Sequence, residues 1–523
     1  MTHQVLIVGA GPTGLVLALW LTRLGIAVRI VDRAAGPGTT SRALAVQART
    51  LELYRQLDLT DAVLAGGHRI DTVNLWVGGE RQARMQLGDI GHDQTPYPFV
   101  HIFPQDRHER LLESRLSAAG VSVERNTELL GFTEQGDIIE ARLRLADGTE
   151  GTCSAQYLVG CDGASSVVRK TIGVSFEGGT YSQRFYVADI EGIGPVFDGG
   201  LHVDLNEADF LAVFSMGGNR ARLVGAVRDE RAGATDTLHF GDVSGRAMDE
   251  LKIQVTKVNW FSTYRVHHRV AGHFRRGRAF IAGDAGHIHS PAGGQGMNTG
   301  IGDAINLAWK LEAVLSGKAD DRLLDTYEAE RIGFARKLVH TTDRVFTAAT
   351  SESHMANILR TRITPILMPA ATKFAAVRER MFRTVSQTMI SYRDGPLGGG
   401  RAGDVHGGDR LPWVRAPSTD NFDTLADPVW QVHVYGTPGE ELTDWCRAQR
   451  IPLHRFPWDA AHAEAGLMRD AVYLVRPDAY VAFADPSGAA GTLADYFSRH
   501  HLRPAGATAG RAGLHPTERS PEP

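Results

Sequence analysis

The sequence predicts an α/β fold in which an antiparallel sheet is set into a unit of alternating strands and helices. Three observations predict it. A short apolar run meets the glycine turn GAGPTG and continues as a helical pattern over residues 4–25. Alternating apolar and polar residues prevail from about 174 to 270, as in Phe210-Leu211-Ala212-Val213-Phe214. GPLGGG at 395–400 then breaks the chain before a second series of strand and helix patterns. The implied units are residues 1–173 with 271–392, an insert at 174–270, a small α/β unit at 401–504, and a tail at 505–523 that lacks apolar periodicity and is expected to be flexible.

Gln4-Val5-Leu6-Ile7-Val8 reads as a buried strand, Gly9 to Gly14 as the turn, and Leu15, Leu19, Leu21 and Leu24 as a helix ending at Gly25. Ala27-Val28-Arg29-Ile30-Val31 is a second strand closed by Asp32, eighteen residues beyond Gly14. Strand, glycine turn, helix and acid-ended strand are the four parts of a dinucleotide fingerprint. Gly9 permits the tight turn, Gly11 lets a pyrophosphate reach the backbone, and Gly14 lets helix and strand pack closely. The helix N-terminus, at Pro12 and Thr13, faces the phosphate charge, and Asp32 can accept hydrogen bonds from a ribose.

Arg49-Thr50-Leu51-Glu52 lead into a helix, residues 70–90 read as paired strands, and His101 to Arg107 open another helix with Leu111, Leu112 and Leu116 on one face. Tyr157-Leu158-Val159-Gly160-Cys161-Asp162-Gly163 is again a strand that ends in an acid and a glycine. A third such strand, Arg278-Ala279-Phe280-Ile281-Ala282, stops at Gly283-Asp284, and Pro291 and several glycines precede a helix from near Met297 to Leu311. Side chains cleared away just ahead of a helix mark a place where backbone meets a ligand. Residues 321–390 read as helical, with Met355, Leu359, Ile366 and Met368 as packing positions. Val429 to Tyr435, a helix with Leu442 and Trp445, and Ala471 to Asp478 build the last unit.

Composition narrows the function. With 56 Lys+Arg against 60 Asp+Glu the net charge is −4, no field for gripping nucleic acid or an anionic membrane. No apolar run reaches the ~18 residues of a membrane span, and no basic segment with an apolar core precedes Val5, so a cytoplasmic protein is expected. Cys153, Cys161 and Cys446 have neither disulfide-framework nor metal-site spacing, and no metal is expected.

GAGPTG, YLVGCDGASSVVRKTIG and GRAFIAGDAGHIHSPAGGQGMNTGIGDAINLAWKL stand in the order and at the spacings of the three FAD motifs of the flavin monooxygenases of the p-hydroxybenzoate hydroxylase class. The chain resembles that family over residues 4–392, and within it the phenol hydroxylase, pentachlorophenol monooxygenase and aromatic polyketide hydroxylase branch. The resemblance implies FAD as cofactor. It implies ribose contact for Asp32, with Arg33 beside it, cofactor contacts for Arg42 and Gln105, and both FAD and nicotinamide binding for the motif of Asp162 and Gly163. Gly283 and Asp284 would meet the ribityl chain, and Pro291 with Gly294, Gly296, Met297 and Asn298 would lie beside the flavin ring. There the positive end of the following helix would stabilise negative charge on the reduced ring.

No second strand–GxGxxG–helix unit is present, so NADPH or NADH is expected to visit as a transient co-substrate. The resemblance implies that the flavin swings out to meet it, with Arg42 coupled to that motion, and that O2 then adds at flavin C4a. The terminal oxygen of the hydroperoxide passes to an electron-rich aromatic ring, the carbonyl at Pro291 meeting the transferring hydroxyl. Arg42 and Pro291 are thus the candidate catalytic positions. Tyr186, His202, Tyr264 and His267 are candidate bases toward a phenol, each also readable as an ordinary sheet residue, and His287 and His289 read as residues that shape the loop. Family relatives carry a C-terminal thioredoxin-like domain, which residues 401–504 would match; with Cys446 alone and no CxxC, packing or a homodimer contact is expected there, not redox chemistry.

Expected partners are a small phenolic or polycyclic polyketide aromatic and O2. Baeyer–Villiger oxygen insertion, a flavin oxidoreductase without oxygen transfer, and an FAD-binding partner without turnover remain alternatives on the same scaffold. A flavin halogenase would need a GxWxWxIP motif, which the chain lacks.

Overall fold

The computed structural model describes residues 3–38, 43–87, 91–205, 210–227, 239–242, 245–290, 294–350, 374–415 and 420–503. The elements that position the site are β1 (His3–Val8), α1 (Pro12–Arg23), β2 (Val28–Val31), α2 (Ala48–Tyr54), α3 (Gln105–Ala118), β3 (Val123–Glu124), β4 (Glu150–Gly160), β5 (Ala279–Ile281), α4 (Gly296–Leu315) and α5 (Asp325–Thr350).

One eight-stranded sheet carries the order Arg275–Arg276, β5, β4, β1, β2, β3. From β5 to β3 every neighbouring pair is parallel, with Val5 opposite Val28 on one side and Tyr157 on the other. Strands flanked on both faces by helices need unbroken apolar runs, which β1 supplies: Val5, Leu6 and Ile7 are fully buried. The first half of β4 pairs instead with Ile138–Arg144, antiparallel, which in turn pairs with Glu128–Gln135. Helix α1 packs between α3 and α4. Its residues Leu15 through Leu21 are all buried, as a helix covered on every side requires.

Helix α4 begins one residue before the sequence reading and ends four residues after it. Gly317 at φ +73° ends it, with Gly317 N–H donating to the Val314 carbonyl and Lys318 N–H to that of Ala313, a Schellman closure that the sequence pattern leaves implicit. Of the helical stretch expected over 321–390, α5 and Ala375–Val385 are seen; Met355, Leu359, Ile366 and Met368 lie outside the described residues, as does the 505–523 tail.

A second eight-stranded sheet runs His287–Ile288, Gln254–Ala271, Phe176–Ile193, Arg220–Val227, Phe210–Ser215, Leu201–Leu205, Thr72–Val77, Glu80–Gln86. The hairpin at 72–86 therefore joins this sheet, through a parallel pairing of Leu201 with Val73 and Val203 with Leu75. One face buries Tyr186, Ala188, Leu211, Val213 and Leu223 beneath Ala247 and Leu251. On the other face Leu201 and Phe214 pack against Leu44, Ala45, Ile70 and Ile102.

The third sheet, in the order Val405–His406, Gly399–Ala402, Val481–Asp485, Val472–Val475, Gln431–Tyr435, Leu453–Phe456, follows the Gly395–Gly400 break. Gln431–Tyr435 pairs parallel with Leu453–Phe456 across the helix Glu440–Gln449, and antiparallel with Val472–Val475. Its buried residues, such as Val432, Val472 and Val481, belong to the same apolar cluster as Val5 and Leu15, so one core runs through both sheets.

Candidate functional site

Three strand ends meet at one level. Gly9 N–H donates to the Val31 carbonyl at 2.8 Å, Cys161 N–H to Val8 at 2.7 Å and Ala282 N–H to Gly160 at 2.9 Å, so the turns after β1, β4 and β5 lie side by side. The carboxyl end of a parallel sheet is where open α/β folds hold ligands. Gly9 has φ +103°, and a side chain there would strike the Cys161 carbonyl. At Gly14 a Cβ would strike the Gly9 carbonyl and lie 3.2 Å from the Cys161 Cβ. A Cβ on Gly11 would meet no described heavy atom within 4 Å. The first and third glycines are thus needed by the protein's own packing, and the middle one opens onto space above the N-terminus of α1. Pro12 stands at the start of that helix, where its missing N–H costs nothing.

Asp32, at the end of β2, accepts Ala10 N–H at 2.6 Å on Oδ2 and Ala34 N–H at 2.7 Å on Oδ1. Each carboxylate oxygen carries two lone pairs, so one remains on each for a further donor. Arg33 beside it is exposed. After β4, Gly163 sits at φ +75°, and the Asp162 carboxylate accepts Ser166 Oγ–H at 2.5 Å and the N–H groups of Val167 at 2.7 Å and Val168 at 3.2 Å, capping the short helix Val167–Thr171.

After β5, Gly283 stands at φ +60° in a 3₁₀ turn that leaves Asp284 exposed. A Cβ on Gly283 would come 2.6 Å from Thr13 Oγ1, and one on Gly300 would strike the same oxygen. Thr13, Gly283 and Gly300 therefore bring α1, the turn and α4 into close contact. Asp303 of α4 holds the turn from below: its Oδ2 accepts Gly283 N–H at 3.0 Å and His287 Nε2–H at 2.6 Å, and its Oδ1 accepts Arg331 Nε–H at 2.6 Å. Burial alone would raise the Asp303 pKa, yet the Arg331 guanidinium and His287 bring it down to about 2.

The loop before α4 is pinned by Asn298. Its Nδ2 donates to the carbonyls of Ala45 and Gly294, each at 2.9 Å, and its Oδ1 accepts Gln47 N–H at 2.9 Å and Thr50 Oγ–H at 2.8 Å. Gly294, at φ +63°, lies so near Ala45 that an added Cβ would come 2.9 Å from the Ala45 Cβ. Gln295, the residue before α4, turns its side chain to the Val385 carbonyl and Gln387, leaving the helix start to Gly296. Met297 is half-buried against the main core.

A model of the family described as FAD binding domain matches residues 2–342. The chain belongs to that family. It is 35% identical to 6-methylpretetramide 4-monooxygenase of Streptomyces rimosus, over 99% of this chain and 98% of the relative. It is 32% identical to pentachlorophenol 4-monooxygenase of Sphingobium chlorophenolicum, over 85% of this chain and 83% of the relative. Among solved structures it is similar to OxyS, an anhydrotetracycline hydroxylase from Streptomyces rimosus, with a TM-score of 0.75 and 27% identity over 97% of this chain and all of that one.

In this FAD-binding-domain chain the sequence-derived residues Gly9, Gly11, Pro12, Thr13, Gly14, Asp32, Asp162, Gly163, Gly283, Asp284, Gly294, Gly296, Met297 and Asn298 gather around the three turns and the start of α4. Gln105, at the start of α3, accepts Ala43 N–H at 3.3 Å and donates to Glu109 at 2.8 Å. Arg42 and Pro291 lie outside the described residues. Two of the four candidate bases stand on the face of the second sheet turned away from Ala45. Tyr186 and His202 belong to the face opposite Leu201 and Phe214, which pack toward Ala45. His202 is also fully occupied, with Trp76 Nε1–H on its Nδ1 at 3.0 Å and Asp198 accepting its Nε2–H at 2.8 Å. Tyr264 shares the Phe185 face that includes Leu201 and Phe214, and His267 pairs with Thr180 Oγ at 2.7 Å. His289 donates Nδ1–H to the Ser290 carbonyl, and burial with His287 nearby takes its pKa down to about 4.

Sequence reasoning missed Arg169, Asp303 and Arg331. Arg169 donates to the Ala285 carbonyl at 2.8 Å and the Ala164 carbonyl at 2.7 Å and lies over the Phe176 ring, tying the turn after β4 to the turn after β5. A signal existed for Asp303: with Asn306 and Lys310 it repeats at three- and four-residue steps along a helix whose neighbouring positions are apolar.

Proposed function

We propose that the chain is an FAD-dependent, NAD(P)H-consuming monooxygenase that hydroxylates a phenolic or polyketide-type aromatic. The observation that carries the reading is the open space at Gly11, between two glycines required by packing and over a helix N-terminus, beside the turns that follow β4 and β5. That cradle suits a dinucleotide diphosphate, and similarity to aromatic monooxygenases along the whole chain supports the reaction class. Bound FAD would supply the redox chemistry, taking hydride from NADPH or NADH and passing one atom of O2 to the aromatic ring by the route the family resemblance implies.

The protein's part is binding, positioning and electrostatics. Gly9, Gly11 and Gly14 with the N-terminus of α1 would hold the diphosphate, Asp32 the ribose, and Asp284 the ribityl chain. Gly294, Gly296, Met297 and Asn298 would flank the ring, with the N–H groups at the start of α4 toward its pyrimidine edge. The Leu201–Phe214 face of the second sheet would cover the substrate. Residues 1–173 with 271–392 would form the FAD-binding domain, 174–270 the substrate domain, and 401–504 a thioredoxin-like domain, a reading supported by the strand order and the parallel–antiparallel pattern around Gln431–Tyr435.

The test is reconstitution with FAD, followed by NADPH and NADH oxidation against a panel from simple phenols to tetracyclic quinones with mass detection of products. The reading expects visible flavin absorbance and a product heavier by one oxygen atom. No flavin binding, or flavin reduction that yields only peroxide with every substrate, overturns it.

A further inference from the structure

The hairpin between Val472–Val475 and Val481–Asp485 turns at Arg476-Pro477-Asp478-Ala479, closed by Ala479 N–H on the Arg476 carbonyl at 3.0 Å. Proline in the second position suits such a turn, but Ala479 stands at φ +61°, a conformation a non-glycine residue keeps only when its surroundings impose it. The surroundings are three helices of the first sheet's layer. The Asp478 carboxylate accepts Trp309 Nε1–H at 3.1 Å and Asn306 Nδ2–H at 3.4 Å from α4. The Asp478 carbonyl accepts Arg49 Nη2–H at 2.9 Å from α2, and the Pro477 carbonyl accepts Gln56 Nε2–H at 2.7 Å just beyond it. Arg476 spans both ways, with two bonds to Glu330 of α5 at 2.6 and 3.0 Å and two to Asp478 at 2.9 and 2.6 Å. Lys310 of α4 completes the cluster on Glu330 at 2.8 Å.

None of Arg476, Asp478, Glu330, Lys310 and Arg49 is more than 5% exposed. Buried ionic bonds of fixed direction hold at one relative position of the helices, whereas apolar packing alone tolerates sliding. The same two helices are joined again nearby: Thr50, next to Arg49, bonds Asn298, two turns before Asn306 on α4. Asn298 in turn grips the Gly294 carbonyl. Hydrogen bonds at two adjacent residues of α2, Arg49 and Thr50, thus link the turn of the third sheet to the loop ahead of α4.

We propose that this turn is a positioning device for the flavin site, with Arg476 and Asp478 as positioning residues that fix the spacing of α2 and α4 and so the placement of the Gly294–Asn298 loop against the ring. The role rests on the flavin reading above and gives the last unit a task beyond bulk packing. It predicts that damage at the turn appears in the flavin's environment, far away in sequence, and not only in stability.

The test uses the full chain reconstituted with FAD, comparing Asp478→Ala with Val434→Ala, a fully buried position in the middle of the same sheet. Three quantities are read: the melting temperature, the shape of the bound-flavin visible band, and the fraction of NADPH-derived electrons released as peroxide. Asp478→Ala is expected to shift the band toward that of free FAD and to raise the peroxide fraction at least threefold, while Val434→Ala lowers the melting temperature and leaves both other readouts in place. Should Asp478→Ala fail to fold, Asp478→Asn, which keeps the shape and loses the charge, is read the same way. A folded Asp478 variant with the wild-type band and peroxide fraction overturns the positioning role while the flavin reading stands, as does Val434→Ala reproducing both changes. A wild-type chain that binds no FAD takes down both.

Discussion

Replacing Asp303 by asparagine tests the electrostatic design of the site at one atom pair. The carboxylate accepts three hydrogen bonds, from Gly283 N–H, His287 and Arg331, and an amide has a single oxygen and an NH2 group. Whichever way the amide is turned, its NH2 faces a donor, either the Arg331 guanidinium or the Gly283 and His287 pair. Arg331 is 1% exposed and retains neutral acceptors in the Thr299 carbonyl at 3.1 Å and the Tyr392 hydroxyl at 2.9 Å, which do not balance its charge. Breaking such a buried pair costs about 3–5 kcal/mol, and Asp303→Asn is expected at about 3 because one oxygen is kept. The pH dependence gives an independent measure. The carboxyl falls from 3.8 to about 2 in the folded chain, which corresponds to about 2 kcal/mol. A depressed carboxylate contributes stability above its unfolded pKa and loses it as pH falls through the folded value, so this share disappears between about pH 4 and pH 2. Urea titrations of wild type and Asp303→Asn at several pH values between 7 and 2 read both effects. A loss under about 1 kcal/mol at pH 7, or identical pH profiles for the two chains, refutes the reasoning.

Gly11→Ala and Gly14→Ala separate ligand approach from packing. The first is expected to leave apoprotein stability within about 0.5 kcal/mol and to weaken FAD binding at least tenfold in a fluorescence titration, whereas the second lowers apoprotein stability by about 1–3 kcal/mol because its Cβ strikes the Gly9 carbonyl. Ala479→Gly relieves a left-handed alanine and is expected to raise stability by about 1 kcal/mol in the same urea assay. All three cysteines are buried, and burial raises the Cys446 thiol to about 11 and the Cys161 thiol well above its ordinary value. Alkylation at pH 8 read by intact mass should therefore add nothing to the native chain within minutes and three labels to the denatured one.

The first strand–turn–helix–strand unit was legible because each part is written locally. Continuous apolar residues mark β1, and Gly9 and Gly14 sit where contact excludes a side chain. Helix α4 was legible at its start for the same reason. Its polar stripe is visible as a spacing but its role was not, because the side-chain partners of Asp303, Asn306 and Lys310 include Arg331, Glu330 and Asp478, up to 172 residues away. Arg169 has the same character: its target is the backbone of Ala285, 116 residues on, and no side-chain pattern announces a carbonyl. Alternation correctly marked the strands of the second sheet, yet it says nothing of which face turns toward the flavin motifs. That is decided by Leu201 and Phe214 meeting Ala45, which leaves Tyr186 and His202 on the opposite face. The parallel pairing of 72–77 with 201–205 is likewise a long-range event with no local mark.

The two features of α4 that look opposed, glycines at its start and buried charges along its middle, follow from one requirement. A helix that offers its first N–H groups to a ligand cannot have them capped by its own side chains. Gly296 and Gly300 bring no side chains of their own to the first turns, where the helix is held by the close approach of Gly300 to Thr13 and Gly283 and by the hydrogen bonds of Asn298. Further bonds of fixed direction come from farther along. Asp303, one turn beyond Gly300, holds the Gly283 N–H of the neighbouring turn, and Asn306, Trp309 and Lys310 engage Asp478 and Glu330. Apolar residues at these positions would hold α4 as tightly in free energy, but would leave its axial position to be set by side-chain fit alone. On the flavin reading proposed above, axial position is the quantity that matters for the Gly294–Asn298 loop.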